Sequence, residues 1–270
     1  MVVDEFSTLS DDEPIGKVQQ LLAVCMVPRG VEARADALDR CVNLLDDIRS
    51  AVLALSQGTD GRVLYAVSLV AQGARALLTG ARTLLPDNAY AASALVRQLV
   101  EIEYLAWACA HDEAETLDWI TSDSDTRRKR WLPSHLRKRA GDRFDAKEYS
   151  DHCEAGGHPT PVGIMTLNGP TFADPELIAM PGVQSYELVL HAVAACDYLT
   201  HAVPATVPHA QELRDRAHAI SADWRTNDPA ALFTTSAGNA EREAALVVAI
   251  AEGMVELTER AAKWRGIDLP

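Results

Sequence analysis

The chain has 270 residues, of which 48% are hydrophobic, and a formal net charge of −14. That length and apolar content allow a sizeable buried core and exclude an intrinsically disordered protein. The excess of negative charge disfavours general nucleic-acid binding, because an acidic surface repels phosphate backbones. The five cysteines are scattered and include no Cys-x-x-Cys pair, so we expect reduced thiols and a cytoplasmic location.

The start of the chain is acidic and polar, and we predict a flexible acidic tail over residues 1–14. This stretch lacks the basic and apolar regions of a signal peptide. Since no uncharged apolar run reaches the ~18–20 residues of a membrane span, we also expect no membrane association. Residues 15–270 are rich in alanine and poor in alternating, strand-like runs. The sequence therefore predicts a single all-α domain over residues 15–270.

Glycine, proline and capping residues divide the chain into segments with helical spacing of apolar residues. The predicted helices cover residues 15–27, 32–55, 62–85, 90–110, 113–138 (interrupted at Pro133), 183–203, 209–224 and 240–265. Helices of this length joined by short breaks are typical of an antiparallel helical bundle. A long Gly/Pro-rich loop separates the two halves of the predicted bundle.

The predicted helix at residues 90–110 is apolar nearly all round, which is typical of a central helix. Arg97 and Glu101 lie one turn apart on it, and we expect them to be mostly buried and paired, because an unpaired buried charge is very costly. Glu103 points to another face of the same helix. It therefore needs a partner of its own.

A basic strip follows at residues 127–143, where eight Lys or Arg residues stand against one acid. Such a strip can hold a phosphate backbone even on an acidic protein. The alternative is a solvated helix face that pairs with the acidic residues 111–125 just before it. The candidate RNA-binding residues are Arg127, Arg128, Arg130, Arg137, Lys138 and Arg139.

Residues 145–176 contain four glycines and four prolines, and we predict a long loop with one helical turn around Tyr149. Loops of this length within a compact domain are usually functional or disordered. The loop also carries His158, followed closely by prolines that stiffen the chain. We predict that it brings His158 to the Arg97–Glu101 pair.

Two segments, LVRQLVEIEYLAW and YSDHCEAGGHPTP, combine an Arg-x-x-x-Glu helix with a tyrosine and a histidine some fifty residues later. In this pattern the chain resembles uncharacterised bacterial all-helical proteins related to the HEPN superfamily, over about residues 60–165. The matching positions are Arg97, Glu101, Tyr149 and His158. The resemblance implies a homodimer that binds or cleaves RNA in a toxin–antitoxin or phage-defence setting, without a cofactor and with an antitoxin as a possible protein partner.

Metal-independent RNA cleavage requires a base for the 2′-hydroxyl, an acid for the leaving oxygen and a cation beside the phosphate. His158 would be the base and Arg97 the cation, with Glu101 orienting the guanidinium. HEPN ribonucleases often use an Arg-x(4–6)-His motif, and the chain departs from it. Its Arg-x4-His pair, Arg130 and His135, is interrupted by a proline.

Two other classes of function stay open. The predicted helix at residues 183–203 places Glu187, His191 and His201 on one stripe, and together with His158 they could form a non-haem metal site of a metal-dependent helical-bundle enzyme. The Glu-x-x-His motif of ferritin-like di-iron bundles is absent. The third class is a non-catalytic interaction module, in which Arg97 and Glu101 are architectural.

Overall fold

A computed structural model describes residues 15–56, 61–85, 87–165, 175–233, 240–264 and 266 of the chain. The predicted tail at residues 1–14 lies outside the described residues. Every regular element within the described ranges is a helix. The all-α prediction is therefore confirmed.

Most of the long helices coincide closely with the predicted ones, but the helix predicted at residues 183–203 begins earlier, at Pro175. The first half of the chain forms α1 (Ile15–Met26), α2 (Pro28–Leu53), α3 (Arg62–Leu84), α4 (Ala89–His111), α5 (Glu113–Thr121), α6 (Ser124–Arg130) and α7 (Pro133–Ala140). The second half forms α8 (Ala146–His152), α9 (Pro161–Met165), α10 (Pro175–Ala202), α11 (Ala210–Asn227), α12 (Pro229–Phe233) and α13 (Ala240–Trp264).

Helix α4 is central to the bundle, as its composition predicts. It packs along α10 on one side and α3 on another, while α2 packs against α3 and α11. Its core positions include Val96, Leu99 and Val100, which are almost completely buried. Asn88 fixes the start of α4, because its side-chain oxygen accepts a hydrogen bond from the backbone N–H of Ala91 at 2.9 Å.

Helix α3 has the length and composition of a membrane-crossing helix, with a mean hydropathy of 1.3. In the structure it packs between α2 and α4, and Val67, Ala74 and Leu78 are fully buried there. The core helix of a bundle has the same composition as a membrane span. Its apolar character is thus explained by its neighbours in the fold.

The predicted helix at residues 113–138 is divided into the three short helices α5, α6 and α7. The break at Pro133 was predicted, and Pro133 begins α7. A second break precedes α6, where the Asp123 carboxylate accepts a hydrogen bond from the backbone N–H of Thr126 at 2.7 Å. An aspartate in this position starts a new helix rather than continuing the old one.

The prediction of a long loop at residues 145–176 is wrong for its first part. Asp145 caps α8 by accepting a hydrogen bond from Lys147 N at 2.7 Å, and a π-helical turn, Cys153–Gly157, and then α9 follow. The turn packs tightly on α4: a Cβ atom on Gly156 would lie 2.5 Å from the backbone nitrogen of Ala94. Glycine therefore allows the close approach that seats α8 beside α4. Residues 166–174 lie outside the described residues.

Candidate metal centre

Two helices each carry a glutamate and a histidine one turn apart. These are Glu148 and His152 on α8, and Glu187 and His191 on α10. A spacing of four residues places each pair on one face of its helix. Both faces meet beside α4, and one donor atom from each of the four side chains lies within 4.8 Å of all the others.

Four of the six separations between these donor atoms are close to the edges of a tetrahedron around a metal ion. The two imidazole Nε2 atoms of His152 and His191 are 3.2 Å apart, and His191 Nε2 is 3.4 Å from Glu148 Oε1. Glu187 Oε2 lies 3.7 Å from each Nε2 atom. A zinc ion with bonds of about 2.0–2.2 Å has tetrahedral edges of about 3.3–3.6 Å. The side chains are therefore spaced as ligands of one ion without rearrangement of the backbone.

A third helix orients one of the imidazoles. Glu103 on α4 lies with its Oε2 atom 2.7 Å from His191 Nδ1, which donates its proton to the carboxylate. In metalloproteins, the ring nitrogen that does not bind the metal commonly donates to a carboxylate in this way. The partner predicted for Glu103 is thus His191. The contact also directs His191 Nε2 towards the other three side chains.

Glu187 is the most unusual member of the group. It is 3% exposed, and neither of its carboxylate oxygens has a hydrogen-bond partner among the described residues. Burial of a carboxylate without hydrogen-bond donors is strongly unfavourable. The group therefore requires a proton or a cation close by, and the two imidazoles at 3.7 Å are too distant to donate to it.

The charges within the group are strongly coupled. Burial opposes the charged form of His191, but the carboxylates of Glu103, Glu187 and Glu148 prevail and raise its pKa to about 10. Burial and the adjacent charge of His191 lower the pKa of His152 to about 4. At neutral pH His191 is then an imidazolium, and His152 is a neutral imidazole whose Nε2 accepts a hydrogen bond from His191 Nε2 at 3.2 Å. The positive charge that these carboxylates need is supplied by a proton, which a metal ion can replace.

The two remaining carboxyl groups respond in opposite directions. Burial acts to raise the pKa of Glu187, yet the neighbouring imidazoles of His191 and His152 hold it below its usual value. Burial raises the pKa of Glu148 despite the opposing charge of His191. Two imidazoles and two carboxylates form a donor set that suits zinc, iron and other divalent first-row ions.

The sequence identified half of this group. Glu187 and His191 were predicted as alternative metal ligands, and both belong to it. The other two predicted ligands do not join them. His201 is half-exposed, with Nδ1 2.8 Å from the carbonyl oxygen of Asp197. His158 is exposed beyond the π-helical turn, where its backbone carbonyl accepts a hydrogen bond from the Tyr90 hydroxyl at 3.3 Å.

Glu148 and His152 were missed because their segment was predicted to be mostly loop. The signal that could have found them is the repeated spacing Glu-x-x-x-His, which occurs in EYSDH and again in ELVLH. A spacing of four residues places two side chains next to each other only when the segment is helical. Recognition of Asp145 as a helix cap would have supplied that condition.

The residues of the predicted RNA site are assembled only in part. Arg97 and Glu101 pair at 2.8 Å, and the Tyr149 hydroxyl accepts from Arg97 Nη2 at 2.9 Å and donates to Glu101 at 2.8 Å. The two side chains are therefore paired, as predicted, and at 25% and 31% exposed they lie at the edge of the core rather than within it. The His158 imidazole makes no hydrogen bond to any described residue, so its predicted approach to Arg97 has no supporting contact.

The basic strip is largely occupied by internal contacts. Arg130 and Arg139 both pair with Glu115, and Arg130 also lies 3.2 Å from Asp118. Arg128 is 4.0 Å from Asp125. These pairs agree with the alternative interpretation, in which the strip neutralises the acidic segment before it.

The other members of the strip differ among themselves. Arg127 donates to the carbonyl oxygen of Ser122, and Lys138 is exposed. Arg137 lies over the ring of Tyr149, with its guanidinium carbon 4.5 Å from the ring centre. The strip is therefore not one uniform cationic surface. Arg137 in particular packs against Tyr149 of α8.

The chain has no match among protein-family models, curated proteins or solved structures. The HEPN-related resemblance therefore stays a prediction based on its two short motifs. The fold and the site together define an all-α bundle with a buried Glu/His cluster.

Proposed function

We propose that this protein binds a divalent first-row transition-metal ion, with zinc(II) as the best fit, through Glu148, His152, Glu187 and His191. The observation that carries the proposal is the close grouping of four donor atoms, three of them on buried residues and all within 4.8 Å of one another. Four of the six separations between them, at 3.2 to 3.7 Å, are close to those that the coordination of zinc requires. This belongs to the metal-dependent class that the sequence left open.

The charge balance supports a dication. Two coordinating carboxylates neutralise the two positive charges of the ion, which removes the cost of burying Glu187 without donors. Both histidines then act as neutral ligands, and the proton of His191 at Nδ1 remains hydrogen-bonded to Glu103. One ion thus supplies the Glu187 carboxylate with the partner that the described side chains do not provide.

Metal analysis of the purified full-length protein tests the proposal. We expect about one zinc ion per chain after chelator treatment and equilibrium dialysis against zinc, following the single-site geometry. His191→Ala should abolish this binding. His201→Ala is the matched control, because His201 lies beside a carboxylate on the same helix but outside the cluster. Absence of bound metal in the wild type, or equal binding by His191→Ala, would contradict the proposal.

RNA binding, a homodimer and an antitoxin partner stay predictions. The Arg97–Glu101–Tyr149 cluster is the feature that favours a phosphate ligand, since guanidinium groups suit phosphate oxygens. Salt-dependent RNA binding would test it: affinity should fall by roughly one log–log slope unit per phosphate contact. Joint replacement of Arg127, Arg128 and Arg130 should flatten that slope. If the wild type binds no RNA at low salt, the strip serves only internal contacts.

A further inference from the structure

Several buried polar atoms have no hydrogen-bond partner among the described residues. Besides both oxygens of Glu187, they include the Tyr104 hydroxyl and Arg137 Nη1. The remaining two are His135 Nδ1 and Gln184 Oε1. Buried donors and acceptors without partners are rare in native proteins, and an unseen ion, water or ligand is a common explanation.

Tyr104 and Arg137 lie beside the Glu/His cluster. Tyr104 directly follows Glu103 on α4 and is 1% exposed. Its ring centre is 6.2 Å from that of Tyr149, over which the Arg137 guanidinium lies at 4.5 Å. Tyr149 in turn is adjacent to Glu148 in α8. The phenol and the guanidinium thus approach the cluster from the side of α7 and α8.

Burial and the charged groups around Tyr104 act on its hydroxyl in opposing directions. Burial raises the pKa of Tyr104 well above its usual value, and the carboxylates of Glu148 and Glu103 add to this effect. The charge of Arg137 acts in the opposite direction. The hydroxyl therefore stays protonated and remains a hydrogen-bond donor. Arg137 is a donor at every accessible pH.

Two kinds of unsatisfied group thus stand side by side. The Glu187 oxygens are acceptors and require a cation, whereas the Tyr104 hydroxyl and Arg137 Nη1 are buried groups that can donate to an acceptor. An oxygen ligand on the metal would accept hydrogen bonds from the Tyr104 hydroxyl and Arg137 Nη1. A guanidinium suits the oxygens of carboxylates and phosphates better than it suits water.

We propose that Tyr104 and Arg137 form an anion subsite, which holds a small oxyanion that also coordinates the metal ion. This inference rests on the proposed metal site. Zinc can expand from four to five ligands when it accepts an exogenous group. Of the four cluster ligands, Glu148 has the most exposed side chain, at 12%, and it directly precedes Tyr149, over whose ring Arg137 lies. It is the ligand best placed to move when an anion enters.

Cobalt(II) provides a spectroscopic test, because its visible absorption responds to coordination geometry. The full-length protein is loaded with cobalt and titrated with sodium acetate and, separately, with inorganic phosphate. We expect saturable changes of the visible bands, and the two titrations distinguish carboxylate from phosphate as the preferred oxyanion. In Arg137→Gln and Tyr104→Phe, the anion affinity should fall about tenfold or more, as expected for loss of a hydrogen bond to a charged group.

Arg128→Gln is the matched control, since Arg128 belongs to the same basic strip but is 78% exposed. Its anion affinity should equal that of the wild type. If the cobalt bands respond to neither anion, the anion subsite is refuted while the metal site stands. The same conclusion follows if Tyr104→Phe, which removes a single oxygen atom, leaves the anion affinity unchanged. Failure of the wild type to bind cobalt would overturn both.

Discussion

Two buried groups of charged side chains in this bundle differ in how many of their polar atoms have hydrogen-bond partners. In the first, Arg34 pairs with Asp228 at 3.0 Å, and both side chains are essentially inaccessible. Arg34 also donates to the carbonyl oxygens of Gly30, Gly182 and Cys25 at 2.7 to 3.0 Å. The second group is the Glu/His cluster.

Asp228 is equally well supplied with donors. One oxygen accepts from the indole N–H of Trp224 at 2.9 Å and the other from the backbone N–H of Ala230 at 3.0 Å. Glu187, by contrast, has no donor on either oxygen among the described residues. Both carboxylates are buried to a similar degree.

This difference in hydrogen bonding indicates which of the two buried groups has a structural role. A buried ion pair that completes its hydrogen bonds within the protein joins α1, α2, α10 and the start of α12, and needs nothing further. A buried group that leaves acceptors on one side and donors on the other is incomplete without a ligand. The Arg34–Asp228 pair therefore holds the fold together, and the Glu/His cluster is available for function.

The largest expected effect on stability comes from breaking the Arg34–Asp228 pair. Arg34→Met should destabilise the protein by ~3–5 kcal/mol, because it leaves Asp228 buried without its counter-charge. Urea unfolding gives the free energy directly. Arg40→Gln is the control: Arg40 pairs with Asp223 at an exposed position and should contribute only about 0.2–1 kcal/mol. Equal effects of the two substitutions would remove the contrast between buried and exposed pairs.

Zinc should stabilise the folded protein by binding to the Glu/His cluster. At a free zinc concentration of one hundred times Kd, the free energy of unfolding should rise by about 2.7 kcal/mol. In His191→Ala the increase should vanish, since the variant lacks a ligand. Thermal or urea unfolding with and without zinc measures both. A gain of the same size in His191→Ala would place the metal elsewhere.

Glu103→Gln tests the contact that orients His191. Its amide oxygen can still accept from Nδ1, but it lacks the charge that strengthens the imidazole as a ligand. We expect zinc affinity to fall by ~10–100-fold, with binding retained. Competition with a chromophoric chelator provides the measurement. Complete loss of binding would instead make Glu103 a direct ligand.

The pH dependence follows from the raised pKa of His191, about 10 in the folded protein against a usual 6.5. In the metal-free protein, the stability contributed by this imidazolium is fully present below pH 6.5 and is lost as pH rises towards 10. Zinc binding requires loss of that proton, so its affinity should rise about tenfold per pH unit over the same window. Unfolding and zinc affinity measured from pH 7 to 9 check both trends. Affinity independent of pH would mean that no such proton is displaced.

The smallest expected effect on stability concerns the partly exposed Arg97–Glu101 pair. Glu101→Ala should cost only about 0.3–1 kcal/mol, because solvent screens the charge of Arg97 and Tyr149 remains as its partner. The urea midpoint is the appropriate readout. A loss as large as that of Arg34→Met would show that exposure does not separate these two pairs.

The sequence predicted most of the bundle, because helical periodicity and capping residues are local properties. The central position of α4 followed from its apolar surface, and the need of Glu103 for a partner followed from the cost of buried charge. The identity of that partner did not, since His191 lies 88 positions away along the chain. Such pairings depend on how helices pack, which periodicity does not specify.

The candidate site was predicted only where its residues share one helix. Glu187 and His191 were recognised together, whereas Glu148 and His152 belong to a segment whose glycines and prolines indicated a loop. One of these glycines, Gly156, instead allows the turn after α8 to pack closely on α4. The partial exposure of Arg97 could not be predicted for a related reason: which face of a nearly uniform apolar helix meets solvent is decided by its neighbours.

Anomalous X-ray diffraction from crystals of the zinc-loaded protein tests the central claim most directly, because data collected on both sides of the zinc absorption edge locate the ion. We predict one strong peak within about 2.0–2.2 Å of the Nε2 atoms of His152 and His191 and of carboxylate oxygens of Glu148 and Glu187. A cluster without a peak, or with zinc bound only at exposed histidines such as His201 and His209, would contradict the account.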